Sequence, residues 1–182
     1  MKEFLAKIDA WTTSSSPFAI ATVVKTWGSS PRPVGSTMII SKQGEMAGSI
    51  SGGCVEGEVV KVAKGQISSG DSIRLQYGVS NDDAWAVGLS CGGQISVFVE
   101  RFIAFDPRPE EQEVWRVLKQ CLDNNLSCIL VSQLVDGIGG HTLVMPDGSL
   151  FGSAVSADVK DAALRAYAQR KHEVIEEAEE QF

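Results

Sequence analysis

Two cysteines sit beside paired glycines in this sequence. Gly52-Gly53-Cys54 closes the stretch Gly48-Ser49-Ile50-Ser51, and Gly88-Leu89-Ser90-Cys91-Gly92-Gly93 carries the same elements in mirrored order. Glycine pairs let a backbone approach a ligand closely. The amides at a helix start favour an anion, and the same field favours a thiolate. The chemistry on offer is therefore phosphate binding with a reactive sulfur nearby. A third stretch, Ser29-Ser30-Pro31-Arg32-Pro33-Val34-Gly35, adds small hydroxyls and an arginine whose guanidinium can fork onto a phosphate or carboxylate. Each motif also has a plain structural reading, as a tight turn, a buried thiol or a rigid connection.

Those loops need elements to hold them. Phe4, Leu5, Ile8 and Trp11 recur at helical spacing, which predicts an opening helix. Phe18 to Val24 reads as a buried strand, and Thr37 to Ile40 as a second. A turn at Lys42-Gln43-Gly44 leads through the glycine loop into a helix near Val55 to Ile67. Ser72 to Tyr77 and Ile95 to Glu100 read as strands, with acidic Asp82-Asp83 between them. Val114, Val117, Leu118, Cys121 and Leu122 share one helical face, which makes Cys121 core. Ser127 to Val135 predicts a further strand, with Cys128 in the core. Ser156 is the N-cap expected of a final helix, whose acidic end, Glu173 to Glu180, opposes the helix dipole and should fray.

The last third echoes the first. Gly35 to Ser49 aligns with Gly140 to Ser153 when one residue is dropped in the turn. The expected fold class is α+β: mixed sheets with flanking helices, built from a degenerate duplicated strand–loop–hairpin–helix unit. Residues 1–105 form the motif-bearing half, and residues 106–182 the second half, packed in the same domain. Where the first copy has Ser51-Gly52-Gly53-Cys54, the second has Val155-Ser156-Ala157-Asp158. A hairpin-to-helix turn thus does not require the glycines, which points to function at Gly52, Gly53 and Cys54.

Composition bounds the function. The 182 residues carry a net charge of -7 and 43% hydrophobic residues. That acidity argues against a nucleic-acid binder, since phosphate backbones select basic surfaces. No C-x-x-C is present, only His141 and His172 are available as imidazoles, and no zinc pattern emerges. No signal peptide or apolar run of membrane-spanning length is recognised, so the expectation is a cytoplasmic protein with free thiols.

Taken together and in order, the three loops resemble the xanthine dehydrogenase accessory factor (XdhC/CoxI) family, with the Tyr77-Gly78 and Asp82-Asp83 elements between them. The resemblance covers about residues 18–101. It implies a maturation factor that binds molybdenum cofactor transiently, supports its sulfuration with a cysteine desulfurase, and hands it to a xanthine dehydrogenase-type apo-hydroxylase. Typical members continue into a Rossmann-like domain. None is recognised here, so a separate Rossmann-like subunit is one expected partner, and a homodimer is compatible with the reading. In this frame Ser29, Ser30, Arg32, Gly35, Ser51, Gly52, Gly53, Cys54, Glu56, Cys91, Gly92 and Gly93 are the candidate cofactor-binding residues. Cys54 and Cys91 are the candidates for sulfur chemistry in one shared pocket, with Glu56 and Asp83 as polar partners. No metal-ligand set is expected. Two alternatives stay open: a thiol-dependent sulfurtransferase or redox enzyme using Cys54, and a non-catalytic protein–protein adaptor.

Overall fold

A computed structural model describes residues 2–78 and 93–175. In chain order the elements are α1 (Leu5–Thr13), β1 (Phe18–Trp27), β2 (Thr37–Ser41), β3 (Met46–Gly48), α2 (Glu56–Ser69), β4 (Ile73–Gly78), β5 (Gln94–Arg101), α3 (Pro109–Asp123), β6 (Ile129–Ser132), β7 (His141–Val144), β8 (Leu150–Gly152) and α4 (Ala157–Gln169). Strands β3-β2-β1-β5-β4 form one antiparallel sheet, and β6-β7-β8 a second. The class is α+β, as the sequence predicts.

The period-2 alternation of strands sorts the side chains onto two cores. Ala19, Ala21 and Val23 of β1, Met38 and Ile40 of β2, and Ile95, Val97 and Val99 of β5 face α2, which returns Val59, Ala63 and Ile67. Phe18, Ile20 and Ile39 face the other way and meet Val114, Val117, Leu118, Cys121 and Leu122 of α3, together with Leu143 of β7. The second core thus draws on both halves of the sequence. It is dense in aromatics: Phe18 stacks on Phe102 at 4.5 Å between ring centroids, and Phe102 meets Trp115 edge-on at 5.3 Å.

Several sequence expectations shift in detail. β1 runs to Trp27, past the expected end at Val24, because a register shift between Val23 and Lys25 lets it keep pairing with β5. β6 covers only Ile129–Ser132 of the longer predicted strand. Ser156 caps α4 as expected, accepting the Val159 N–H at 3.3 Å. The helix then stops at Gln169, where Arg170 takes a left-handed φ of 53°, before the acidic stretch begins.

The two echoing segments share a topology: β1-β2-β3-α2 and β6-β7-β8-α4 each run three antiparallel strands into a helix. The register corrects the sequence alignment. Ser49 N–H donates to Thr37 O as Ser153 N–H donates to His141 O, and Gly44 N–H donates to Ser41 O as Gly148 N–H donates to Met145 O. Thr37 therefore corresponds to His141, and no residue is dropped in the turn. Apolar character alone could not choose between registers, because all four residues of β7 are buried. That the segments arose by duplication is a proposal resting on this shared topology.

Candidate functional site

Antiparallel alternation brings the ends of three connections to one end of the large sheet. β1 ends there and β2 begins there, so residues 28–36 lie across it; β3 ends and α2 begins there, so residues 49–55 do too. β5 starts at the same end.

The first loop is tied at its base by Gly35 N–H to Val23 O at 2.8 Å and Val23 N–H to Ser36 O at 2.9 Å. Inside it Ser30 Oγ donates to Arg32 O at 2.8 Å. Ser29 and Arg32 are exposed and Ser30 half-buried. Pro31 comes close to the second loop: a Cβ placed on Gly52 would lie 3.9 Å from Pro31 Cβ. Gly93 packs on the first loop so tightly that a Cβ there would meet Ser29 O at 2.6 Å. The first two loops are thus neighbours in space. Cys91 and Gly92, with Asp82 and Asp83, lie outside the described residues. The single pocket expected for Cys54 and Cys91 is thus a proposal.

The second loop wraps a carboxylate of its own. Glu56, first residue of α2 and 7% exposed, turns its side chain back into the loop. Its Oε1 accepts the backbone N–H of Ser51 and of Gly52, both at 3.0 Å, and that of Ile50 at 3.3 Å; its Oε2 accepts Gly53 N–H at 2.9 Å. The Ser49 hydroxyl adds a bond at 3.0 Å, and the Ser51 hydroxyl donates to Oε2 while accepting Val55 N–H at 3.1 Å. Successive amides turned inward make an anion-binding nest, and left-handed conformations at Gly52 (φ 80°) and Gly53 (φ 117°) permit it. Burial alone would raise the Glu56 pKa. The hydrogen bonds from the Ser51 side chain and backbone and from Ser49 outweigh it and bring it down to about 2.

This changes the meaning of the glycine motif. The sequence offered the amides at Gly52 and Gly53 to an external phosphate; in the fold they are satisfied by an internal carboxylate. Glu56 is a brace of the loop and not a group facing outward. The signal was present in the sequence, a glutamate three residues after Gly53, the spacing of a side chain that reaches back to cap a helix start. Cys54 is half-buried and packs against the core under α2. Trp27, 68% exposed at the end of β1, stands at the start of the first loop.

A second polar cluster lies on the other face of the sheet. His141 Nδ1 is 2.7 Å from Glu111 Oε2, and His141 Nε2 is 3.2 Å from Glu100 Oε2. Glu111 is fully buried and also accepts the His141 backbone N–H at 2.9 Å. Burial alone would lower the His141 pKa, but the hydrogen bonds and charges of Glu100 and Glu111 outweigh it and raise it to about 10. No sequence pattern marked this cluster. Among the described residues, no group of histidine, cysteine and carboxylate side chains is arranged to hold a metal ion, and no helix is long and apolar enough to cross a membrane.

Residues 11–78, from α1 to β4, match the XdhC and CoxI family model. The chain is 26% identical over 163 residues to a Bacillus subtilis protein named as a probable subunit of xanthine dehydrogenase, covering 88% of this chain and 47% of that one. It is 30% identical over 88 residues to the molybdenum cofactor insertion chaperone PaoD of Escherichia coli, covering 48% of this chain and 27% of that one. Among solved structures, a Bacillus halodurans protein described as a xanthine dehydrogenase matches with a TM-score of 0.63 and 22% identity, over 84% of this chain and 45% of that one. That likeness is one of fold. The chain spans less than half the length of each of these proteins.

Proposed function

We propose that this chain serves in the maturation of a xanthine dehydrogenase-type molybdenum hydroxylase, binding molybdenum cofactor transiently at the loop end of the large sheet. The observation that carries the reading is the approach of Pro31, Gly52 and Gly93 from three connections to one place, with Arg32 and Trp27 exposed there. The family match and the chaperone named among the relatives support it.

The donor set fits the cofactor in part. The amides of Ser51, Gly52 and Gly53 are committed to Glu56, so the phosphate falls to Arg32, with the hydroxyls of Ser29 and Ser30 beside it. Cys54, held at the start of α2 by the braced loop, would be the thiol available to the cofactor's sulfurs, and exposed Trp27 would supply an aromatic surface for its pterin. When bound, the cofactor supplies the molybdenum centre that the hydroxylase requires. The proposed partners are a cysteine desulfurase, the apo-hydroxylase and a Rossmann-like subunit, and the proposed compartment is the cytoplasm.

One observation favours a second reading. Because Glu56 fills the nest, the glycines have a sufficient structural reason, which suits an adaptor whose loops bind protein and not cofactor. Anaerobic incubation with molybdenum cofactor, followed by co-elution on a sizing column, separates the two. Retention by the native chain that is lost in Arg32→Ala and Cys54→Ala supports cofactor binding. A folded native chain that retains none, alone or with a Rossmann-like partner domain added, overturns it in favour of the adaptor.

A further inference from the structure

On the face of the large sheet away from α2 lies a cleft of about 910 Å³, walled by that sheet, by β6 and by the end of α4. We propose that this cleft is a second ligand site, for a phosphorylated heterocycle of about mononucleotide size that bears N–H donors. It lies apart from the Cys54 loop but shares Gly35 and Ser36 with the end of the first loop, and its test, read at Arg170 and Lys171, stands or falls apart from the function proposed above.

Size comes first. Ligand pockets run from about 300 to about 1,000 Å³, so the space suits a small cofactor or nucleotide. The strand period explains why it is lined as it is. Ile20 pairs with Glu100 and Thr22 with Thr37, and all four lie on the face opposite the α2 core. Ile129 and Leu130 of β6 are half-buried and line the cleft.

The polar groups in the cleft are specific. Glu111 is consumed behind the wall by His141 and by Arg108, 3.5 Å away. Glu100 contacts His141 at 3.2 Å and still lines the cleft. An ionised carboxylate has about four lone-pair sites, so Glu100 keeps capacity to accept N–H groups from a ring. His141, braced from behind, orients that carboxylate. Thr22 and Thr37 line the same cleft.

Charge and shape at the mouth complete the match. The left-handed cap at Arg170 ends α4 and turns the chain across the opening, so that Arg170 and Lys171 line it and the His172 ring lies against Gly35. Arg170 and Lys171, adjacent and exposed, give the cleft a paired cation that suits a phosphate, while the carboxylates of Glu3 and Glu100 line it too. Tyr167, 40% exposed one turn earlier, also lines the cleft and is an aromatic on which a planar ring can stack.

Purine nucleotides and phosphorylated pterins share this chemistry, and calorimetry distinguishes them. The native chain is titrated with guanosine monophosphate, with 6-hydroxymethylpterin phosphate, and with ribose 5-phosphate as the phosphate without a ring. The expected result is saturable binding of one or both heterocycles, at least tenfold tighter than ribose 5-phosphate; the tighter names the source. Arg170→Glu with Lys171→Glu, both at exposed positions, should weaken that binding at least tenfold with an unchanged melting temperature. Tyr167→Ala should weaken the heterocycle but not ribose 5-phosphate. No saturable binding, ribose 5-phosphate equal to the heterocycles, or indifference to the charge reversal would overturn the proposal.

Discussion

Gly53 donates its backbone N–H to Oε2 of Glu56 at 2.9 Å, and in that bond the most distinctive motif of the sequence turns inward. A loop built like a phosphate cradle holds a carboxylate of the same chain.

Removing that carboxylate leaves the Ile50, Ser51 and Gly53 amides without their acceptor, while Gly52 N–H keeps the Ser49 hydroxyl at 3.1 Å. An unsatisfied buried donor costs about 1–3 kcal/mol, so Glu56→Ala should lose about 3 kcal/mol in urea unfolding, more than one lost bond would explain. Glu56→Gln keeps one acceptor oxygen but presents an NH₂ to inward-pointing amides, and should recover little. Cys54 alkylation, followed by mass spectrometry, should speed up in both variants as the loop loosens.

Stability should fall at both ends of the pH scale for different reasons. Glu56 has a folded pKa depressed to about 2. Its contribution is present above the unfolded carboxylate value and is lost as pH falls from about 4.5 toward 2. His141 has a folded pKa raised to about 10. Its contribution is complete below about 6.5, the unfolded value, and is lost as pH rises through 10. Urea midpoints taken across pH should therefore show an alkaline decline that His141→Gln flattens and an acid decline that it leaves alone.

The glycines divide into replaceable and irreplaceable. At Gly48, with φ of 91°, a Cβ would lie 2.3 Å from Thr37 O; at Gly152, with φ of 97°, it would lie 2.5 Å from His141 O. Alanine at either should cost about 2 kcal/mol or more, through left-handed strain and collision with the neighbouring strand. Gly65 sits within α2 with nothing within 4 Å, so Gly65→Ala should gain about 1 kcal/mol from helix propensity alone. A melting series over these variants checks both signs.

The thiols should differ in reactivity. Burial, with the neighbouring Cys121, pushes the Cys128 thiol up to about 12, so it stays protonated at neutral pH. Iodoacetamide at pH 7.5 should label Cys54 well before Cys128, and buried Cys121 last. Prior labelling of Cys128 over Cys54 would contradict the burial pattern.

Much of the fold was legible because it rests on local periodicity. The spacing of Val114, Val117, Leu118, Cys121 and Leu122 placed one face of α3 in the core, and all five are buried there. Ser156 announced its helix, and the apolar runs announced β1, β2 and β5. These signals depend on neighbours within a few residues, which a sequence displays directly.

What only the tertiary structure decided is where polar groups find partners. The same glutamate spacing suits a solvated carboxylate or a brace, and the path of the Ile50 to Gly53 backbone chose the brace. Glu111 and His141 stand 30 positions apart, and Glu100 reaches the same imidazole from another strand. No periodicity links them, because their meeting follows from packing α3 and β7 against one sheet face. The register of the second hairpin was undetermined for a related reason: with all four residues of β7 buried, hydrophobicity carries no phase, and the backbone hydrogen bonds alone fix which residue faces which.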